Sequence, residues 1–462
     1  QSNKYLSPIL RIDLNKNKYK IILPIEVKNR ELISRLLLGL NLLTRLDCEI
    51  IIGSQRDLGN YYKNMKNCLY LDKSISAKKF DFIKQISKNN DYFSLDEEGS
   101  YCWFEDMTFR LRFSKKLLAL VDKILLWGKT DEFLLKKKKL LNNKKFLVFG
   151  NPKFELLKKP FNIFYEKEKK FLTKKYGKYI LCVSSFVLYC DGIRDPEASK
   201  NFIKKDYLKA KTDKRKYEKF IKDKRSYENY LYFIDRCKNL ATSNPDKIVI
   251  FRPHPFQDIN LVKKRFLKKP KNLKIIYNNE LTPWIMGCDF YVHAGCTSVI
   301  EAYFLKKKIL NFTKKQFLKR HFIFEKISKQ LLKSKNIKLT NNVGKIRKIN
   351  KKFFSEMIFN YDNYDNYDQL IKVIKKNFHK KSLFFKDNPF LRYSKSWILK
   401  IQKFNQRSYF TKKYLDQKLK IIKFSEIKSK VNLFENIKKD KNFFKVEQFD
   451  NNLFKISRLN SN

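Results

Sequence analysis

Acidic residues are what this chain lacks first. Against 103 lysines and arginines stand 46 aspartates and glutamates, a formal charge of +57 over 462 residues. Arginine is scarce beside lysine, and bidentate reading of bases and phosphates favours arginine. The lysines are spread along the whole chain rather than gathered in one patch, and no RNP, zinc-finger or helix-turn-helix signature is present. These absences argue against a specific nucleic-acid partner. The lysine excess reads as the amino-acid usage of an AT-rich genome, which also inflates Asn, Ile, Phe and Tyr. Diffuse positive charge still attracts anionic surfaces, so a peripheral contact with the inner face of the cytoplasmic membrane is expected.

Long apolar runs are missing too. No stretch of 18 uncharged apolar residues occurs, which predicts no transmembrane helix. The opening "QSNKYLSPILRIDLNKNKYK" has no apolar core of the kind a signal peptide carries. The cysteines (Cys48, Cys68, Cys102, Cys182, Cys190, Cys237, Cys288, Cys296) show neither C-x-x-C spacing nor a close cysteine–histidine cluster, which argues against a structural zinc. In contexts such as "DCEIII" and "YILCVSS" they read as buried free thiols of a reducing cytosol. The expected location is cytoplasmic.

What is present is enough apolar material for real cores: 43% hydrophobic and 15% aromatic residues. The length exceeds one ordinary core. From "YKIILPI" (19–25), "RELISRLLLGLNLLTRL" (30–46) and "CEIIIGS" (48–54) onward, short apolar strands alternate with helical patterns. "VDKILLWGKTDEFLL" and "KKFLVFGNPKFELL" continue that rhythm. It restarts at "KYILCVSSF" (178–186) and runs through "KIVIFRP" (247–253), "LKIIYN" (273–278), "TPWIMGC" (282–288) and "DFYVHAG" (289–295). Alternation of this kind predicts parallel sheets covered on both faces. The expected fold is α/β, with two Rossmann-like domains facing a cleft and a helical C-terminal extension. The expected boundaries are 1–160, 161–335 and 336–462, the last mainly helical with a frayed end. The basic stretch 200–225 reads as a solvated helical excursion.

Four stretches carry candidate chemistry. In "FYVHAGCTSVIEAYFLKKKIL" (290–310) a strand ends in small and hydroxyl residues before a helix expected from about Thr297. The first amides of a helix lack internal partners and carry positive partial charge, so bare residues there let an anion approach. Gly295 lets the backbone turn, Thr297 and Ser298 add donors, and Glu301, one turn on, can accept both hydroxyls of a ribose. Ordinary Ser/Thr capping is the plainer account. His293 either binds phosphate or buttresses the turn.

In "IVIFRPHPFQD", Pro253 and Pro255 bracket His254 at a strand end, where ligands of open α/β sheets bind. His254 is a candidate donor to a departing phosphate, with Arg252 adding charge. In "SLDEEGS" (94–100), Asp96, Glu97 and Glu98 crowd one strand end; mutual repulsion raises at least one pKa toward general-base range, and a solvated acidic loop is the plainer account. In "LPIEVKNRE" (23–31), Pro24 ends the strand, and Glu26, Lys28, Arg30 and Glu31 would face the same cleft from the first domain. "GNPKFELL" (150–157) is a comparable turn that could be purely structural.

Taken together, "RPHP", "HAGCTSVIEA…KKKIL" and the tandem α/β units resemble the GT-B superfamily of nucleotide-sugar enzymes. More narrowly, "LPIEVKNRELISRLLLGLNL", "LDEEG", "WGKTDEFLL" and "GNPKFELL" are similar to the bacterial surface carbohydrate biosynthesis protein family, over residues 18–312. Within the superfamily, transferases of CMP-activated acidic sugars (Kdo, sialic acid) carry an acid–acid–Gly motif, a His-Pro motif and a Ser/Thr pair. The resemblance implies that Glu97-Glu98-Gly99 supplies the base, that His254-Pro255 binds phosphate and that Thr297-Ser298 cradles it. The usual aspartate of the acid motif is a glutamate here, unless Asp96 serves.

The resemblance further implies a metal-independent glycosyltransferase of surface polysaccharide biosynthesis (capsule or lipopolysaccharide), with no cofactor beyond its nucleotide-sugar co-substrate. The donor would be a CMP-sugar, and the acceptor a glycan or lipid-linked glycan. No DxD-like or His-rich cluster stands near these motifs. A UDP-N-acetylglucosamine 2-epimerase, a CDP-glycerol glycerophosphotransferase and a non-enzymatic basic protein that binds membrane or nucleic acid are the alternatives.

Overall fold

The computed structural model describes residues 18–97, 99, 112–137, 145–186, 190–191, 214–314, 327–328, 337–339, 351–361, 367–376, 378, 382–386, 421–439 and 443–459. Six strands open the chain: β1 (Tyr19–Ile25), β2 (Cys48–Ser54), β3 (Leu69–Asp72), β4 (Asp91–Leu95), β5 (Lys123–Leu126) and β6 (Phe146–Val148). Five more follow: β7 (Ile180–Val183), β8 (Val249–Arg252), β9 (Leu273–Ile275), β10 (Phe290–His293) and β11 (Lys308–Asn311). The last two are β12 (Phe444–Asp450) and β13 (Leu453–Arg458).

They form two sheets, in the orders β12–β13–β2–β1–β3–β4–β5–β6 and β11–β10–β7–β8–β9. All pairings are parallel except those of β13 with β12 and with β2. The architecture is thus α/β, two Rossmann-like units with a cleft between them. Every residue of β1 and β2 is buried, which is why these strands are mostly apolar: both faces are covered. Helix α1 (Lys28–Leu43) lies on this sheet and is buried at every position from Glu31 to Leu43. One apolar core runs without a break from Ile22 and Ile124 through Trp127 and Phe154 to Trp284 and Tyr291, so it joins the two units. Seven of the cysteines are described, all buried and free; Cys102 lies outside the described residues. Among the described residues no helix is long and apolar enough to cross a membrane.

The C-terminal extension differs from its expectation. It does contain helices, at Lys351–Met357, Tyr367–Lys375 and Phe424–Lys438. It ends, however, in a hairpin that extends the first sheet, with Phe454 opposite Ile52 and Ile456 opposite Ile50. The reason is local: apolar and β-branched residues in "FKVEQFD" and "LFKISR" flank an Asn-Asn turn, where Asn452 takes φ 55°. The hairpin also covers β2, which would otherwise be an exposed edge. Lys455 comes within 3.8 Å of Glu49, whose other oxygen is 3.1 Å from Lys20, so the junction encloses a charged trio. The basic excursion is a helix from Lys214 that continues to Thr242; residues 200–213 lie outside the described residues.

Candidate active site

In the second sheet, successive strands are laid down on opposite sides of β7, toward β8 on one side and β10 on the other. At such a switch a crevice opens beyond the carboxyl ends of the strands. The described crevice lies there. Its floor is Val183 and Ser184 at the end of β7, Arg252 to Pro255 at the end of β8, and Cys296, Thr297, Ser298 and Glu301 after β10. Its roof comes from the first sheet: Asn29 and Arg30 after β1, and Lys153 after β6. The enclosed space is ≈ 110 Å³. Carboxyl ends of both sheets therefore meet across one cleft.

His254 is held there by its neighbours. Its backbone N–H donates to Gln257 Oε1 at 2.8 Å, and Gln257 Nε2 donates to the Cys190 carbonyl at 2.8 Å. The Phe256 N–H donates to His254 Nδ1 at 3.2 Å. Nδ1 is thus an acceptor, so the neutral ring carries its proton on Nε2. Pro255 lines the cleft beside it. Arg252 is buried, with its guanidinium over the Tyr277 and Trp284 rings at 5.4 and 5.8 Å. It donates to the carbonyls of Asn278 and Asn279, and so braces the loop at the cleft's edge. Burial pushes its pKa down to about 10.

The turn after β10 divides its residues. Gly295 takes φ 81°, a region where a Cβ is strained. Its N–H donates to His293 Nδ1 at 3.2 Å, and His293 Nε2 meets Ser328 Oγ at 3.0 Å. His293 is fully buried and buttresses the turn without lining the cleft. Ser298 also turns its hydroxyl inward, 2.6 Å from Tyr291 Oη and 2.8 Å from Cys296 Sγ. Thr297 stays half-buried on the cleft wall. The following helix spans only Val299–Phe304. Its first amides are already engaged, Val299 N–H to the Cys296 carbonyl at 3.2 Å and Ile300 N–H to the Thr297 carbonyl at 3.1 Å. The expected cradle of open amides is correspondingly narrower. Glu301 is buried; it accepts from Thr282 Oγ1 at 2.9 Å and pairs with Lys153 of the roof.

The acidic cluster needs a correction. Asp96 sits directly after β4, but both its oxygens accept from Arg112, at 2.8 and 2.7 Å. Its carbonyl takes the Trp127 indole N–H. Glu97 pairs with Arg35 at 3.1 Å and accepts from Asn151 Nδ2 at 3.3 Å. Burial raises its pKa, and Arg35 opposes the shift. Neither acid lines the cleft, because each is turned toward a cation on its own side of the first domain. Glu98 lies outside the described residues. Of the other first-domain candidates, Arg30 reaches the cleft. Glu26 pairs with Lys73 at 2.5 Å, and Lys28 with Glu426 at 2.6 Å.

Two cleft residues carry no signal in the motifs. Glu280, just before the helix Leu281–Gly287, lines the cleft together with Tyr165. Burial pushes its pKa up to about 7, against the hydrogen bond from Tyr165 and the charge of Lys430. Both residues also line a second chamber of ≈ 210 Å³ behind them. Only a strand-end position before "TPWIMG" hints at Glu280 in the sequence; Tyr165 sits in a charged stretch outside the quoted motifs. Among the described residues no group of three or more His, Cys, Asp or Glu could hold a metal ion.

No family model matches this chain, and no curated protein does. Solved structures do. A UDP-GlcNAc 2-epimerase from Methanocaldococcus jannaschii is 13% identical over 78% of this chain and 99% of its own, with a TM-score of 0.44. The UDP-N-acetylglucosamine 2-epimerase from Rickettsia bellii is 11% identical, covering 78% and 97%, with a TM-score of 0.42. The wall teichoic acid polymerase TagF soaked with CDPG is 9% identical, covering 64% and 70%, with a TM-score of 0.40. Likenesses this distant decide nothing about this chain's chemistry, for which the two sheets and their shared cleft are the basis.

Proposed function

We propose that the cleft binds a nucleotide-activated sugar and transfers the sugar to a hydroxyl of a glycan. One observation carries this reading: strand ends of both sheets converge on a space walled by an imidazole, a threonine hydroxyl, three basic side chains (Arg30, Lys153, Arg252) and a buried carboxylate, Glu301. The basic side chains and the Nε2–H of His254 suit the phosphates, which take up negative charge as the sugar leaves. Glu301 suits the ribose hydroxyls once Lys153 moves aside. Glu280, poised near neutrality, suits the proton of an attacking hydroxyl.

A CMP-linked acidic sugar such as Kdo is the finer form of this reading. Its footing is the acid–acid–Gly stretch together with His254-Pro255 and Thr297-Ser298, and the described acids of the first are tied to Arg112 and Arg35. The donor is therefore proposed at the level of its class. The same phosphate seat would serve a UDP-N-acetylglucosamine 2-epimerase or a CDP-glycerol transferase. The second chamber favours transfer over epimerisation, since an epimerase has no second substrate to house.

The test is thermal unfolding of the full chain with CMP, UDP, GDP and CDP in turn. A ligand bound only by the native state raises the melting temperature. At least one nucleotide is expected to do so, and His254→Ala is expected to lower turnover of the matching nucleotide-sugar by about 10²–10⁴. If no nucleotide stabilises the chain and polyanion binding vanishes in moderate salt, the basic scaffold replaces the enzyme. Sugar inverted at C2, formed without any acceptor, would identify an epimerase, whereas unaltered free sugar would be donor hydrolysis.

A further inference from the structure

The second chamber differs from the cleft in charge. The cleft wall carries three permanent cations besides His254, against Glu280 and Glu301. In the chamber, Lys28 and Lys430 face Glu168, Glu280 and Glu426, so there is no positive excess. In a chain of +57 that balance sets the chamber apart from the protein's general attraction for anions. Its cations are also engaged: Lys28 pairs with Glu426 at 2.6 Å, and Lys430 donates to the Phe164 carbonyl and lies 3.5 Å from Glu168 Oε1. The other oxygen, Glu168 Oε2, is buried with no hydrogen-bond partner. The side chain is 35% exposed, so this open acceptor can be reached by a donor from a ligand. Ile33 and Pro283 are the apolar parts of the lining. Such a wall fits a molecule rich in hydroxyls, each both donor and acceptor, and carrying no negative charge.

Four parts of the chain build this space: α1 with Lys28, the helix Ile163–Tyr176 with Tyr165 and Glu168, residues 279–283 with Glu280 and Pro283, and the C-terminal helix Phe424–Lys438 with Glu426 and Lys430. Tyr165 and Glu280 form the wall shared with the cleft.

We propose that this chamber seats the second substrate, a neutral or amino sugar unit, and presents its hydroxyl to the donor past the Tyr165–Glu280 wall. The proposal rests on the reading of the cleft as a donor site. In the transfer, the acceptor oxygen forms the new bond to the donor's anomeric carbon. The bond from that carbon to the phosphate oxygen breaks, its electron pair leaving with the nucleotide, and the hydroxyl proton passes to the Glu280 carboxylate.

The experiment is ligand-observed NMR on the full chain with the methyl glycosides of glucose, N-acetylglucosamine, glucosamine and glucuronic acid, with and without the nucleotide that stabilises the protein. A neutral or amino glycoside is expected to bind. Glu168→Gln and Glu168→Leu are each expected to weaken it about tenfold or more while leaving the nucleotide's melting shift unchanged. Two variants are used because the leucine removes the acceptor outright and the glutamine preserves shape. Preferential binding of the glucuronide, no glycoside binding in a protein that does bind nucleotide, or affinity untouched by both variants would each overturn the assignment of the chamber and leave the donor site standing. Glycoside binding that depends on Glu168, without nucleotide binding, would support the chamber and remove the donor reading.

Discussion

At the scale of single residues, adjacent positions of the same type have different duties. Thr297 and Ser298 are neighbours with hydroxyls, and the sequence treats them as a pair. Thr297 stands on the cleft wall, whereas Ser298 is bonded to Tyr291 and Cys296 inside. Thr297→Ala is expected to weaken nucleotide binding about tenfold by calorimetry with little change in stability. Ser298→Ala is expected to cost about 1 kcal/mol of stability in a denaturant titration and to affect binding less. Glu280 gives a pH prediction. Its folded pKa, about 7, lies above the ordinary carboxylate value, so the native state binds the proton more tightly than the unfolded chain. That contribution to stability is full below the unfolded pKa and is lost as pH rises toward 7. Glu280→Gln is expected to flatten the decline in melting temperature between about pH 4.5 and 7. If Glu280 is the base, wild-type turnover rises through the same window and the variant's does not.

At the scale of elements, burial explains what was readable. β1 and β2 match the segments marked out by their apolar residues residue for residue, because strands covered on both faces are mostly apolar, and their one ion pair, Lys20 with Glu49, lies across the two. β3, four residues long, carries too little pattern to stand out. The hairpin β12–β13 was obscured by the lysines and acids that punctuate it and by an alternation that slips at Gln448. Its charged trio yields a test. Glu49→Gln removes the carboxylate 3.1 Å from the buried Lys20, while Lys455 keeps Glu447 at 2.7 Å. The expected loss is about 3 kcal/mol or more, read as a lower urea midpoint.

For the whole molecule, the C-terminal segment is part of the fold rather than an appendage. Val431 and Phe434 are buried with the α1 leucines in one core, and Phe434 stacks on Phe161 at 6.1 Å. Cutting the chain after residue 420 would remove that helix and uncover β2 along its length. Such a truncation is expected to aggregate, with no cooperative melting transition. It would also remove Glu426 and Lys430 from the second chamber.

The order of elements by itself determined two parallel α/β units, because hydrophobic periodicity encodes which faces are covered. It also determined the strand-end turns at His254 and Thr297, because proline, glycine and small residues mark where a chain leaves a sheet. Only the tertiary structure decided which acids face the cleft. Asp96 and Glu97 are drawn to arginines distant in sequence or on another helix, while Glu280 is brought to the cleft by the packing of two units against each other. Partner choice among charged side chains depends on three-dimensional distance and local desolvation, and neither has a period along the chain.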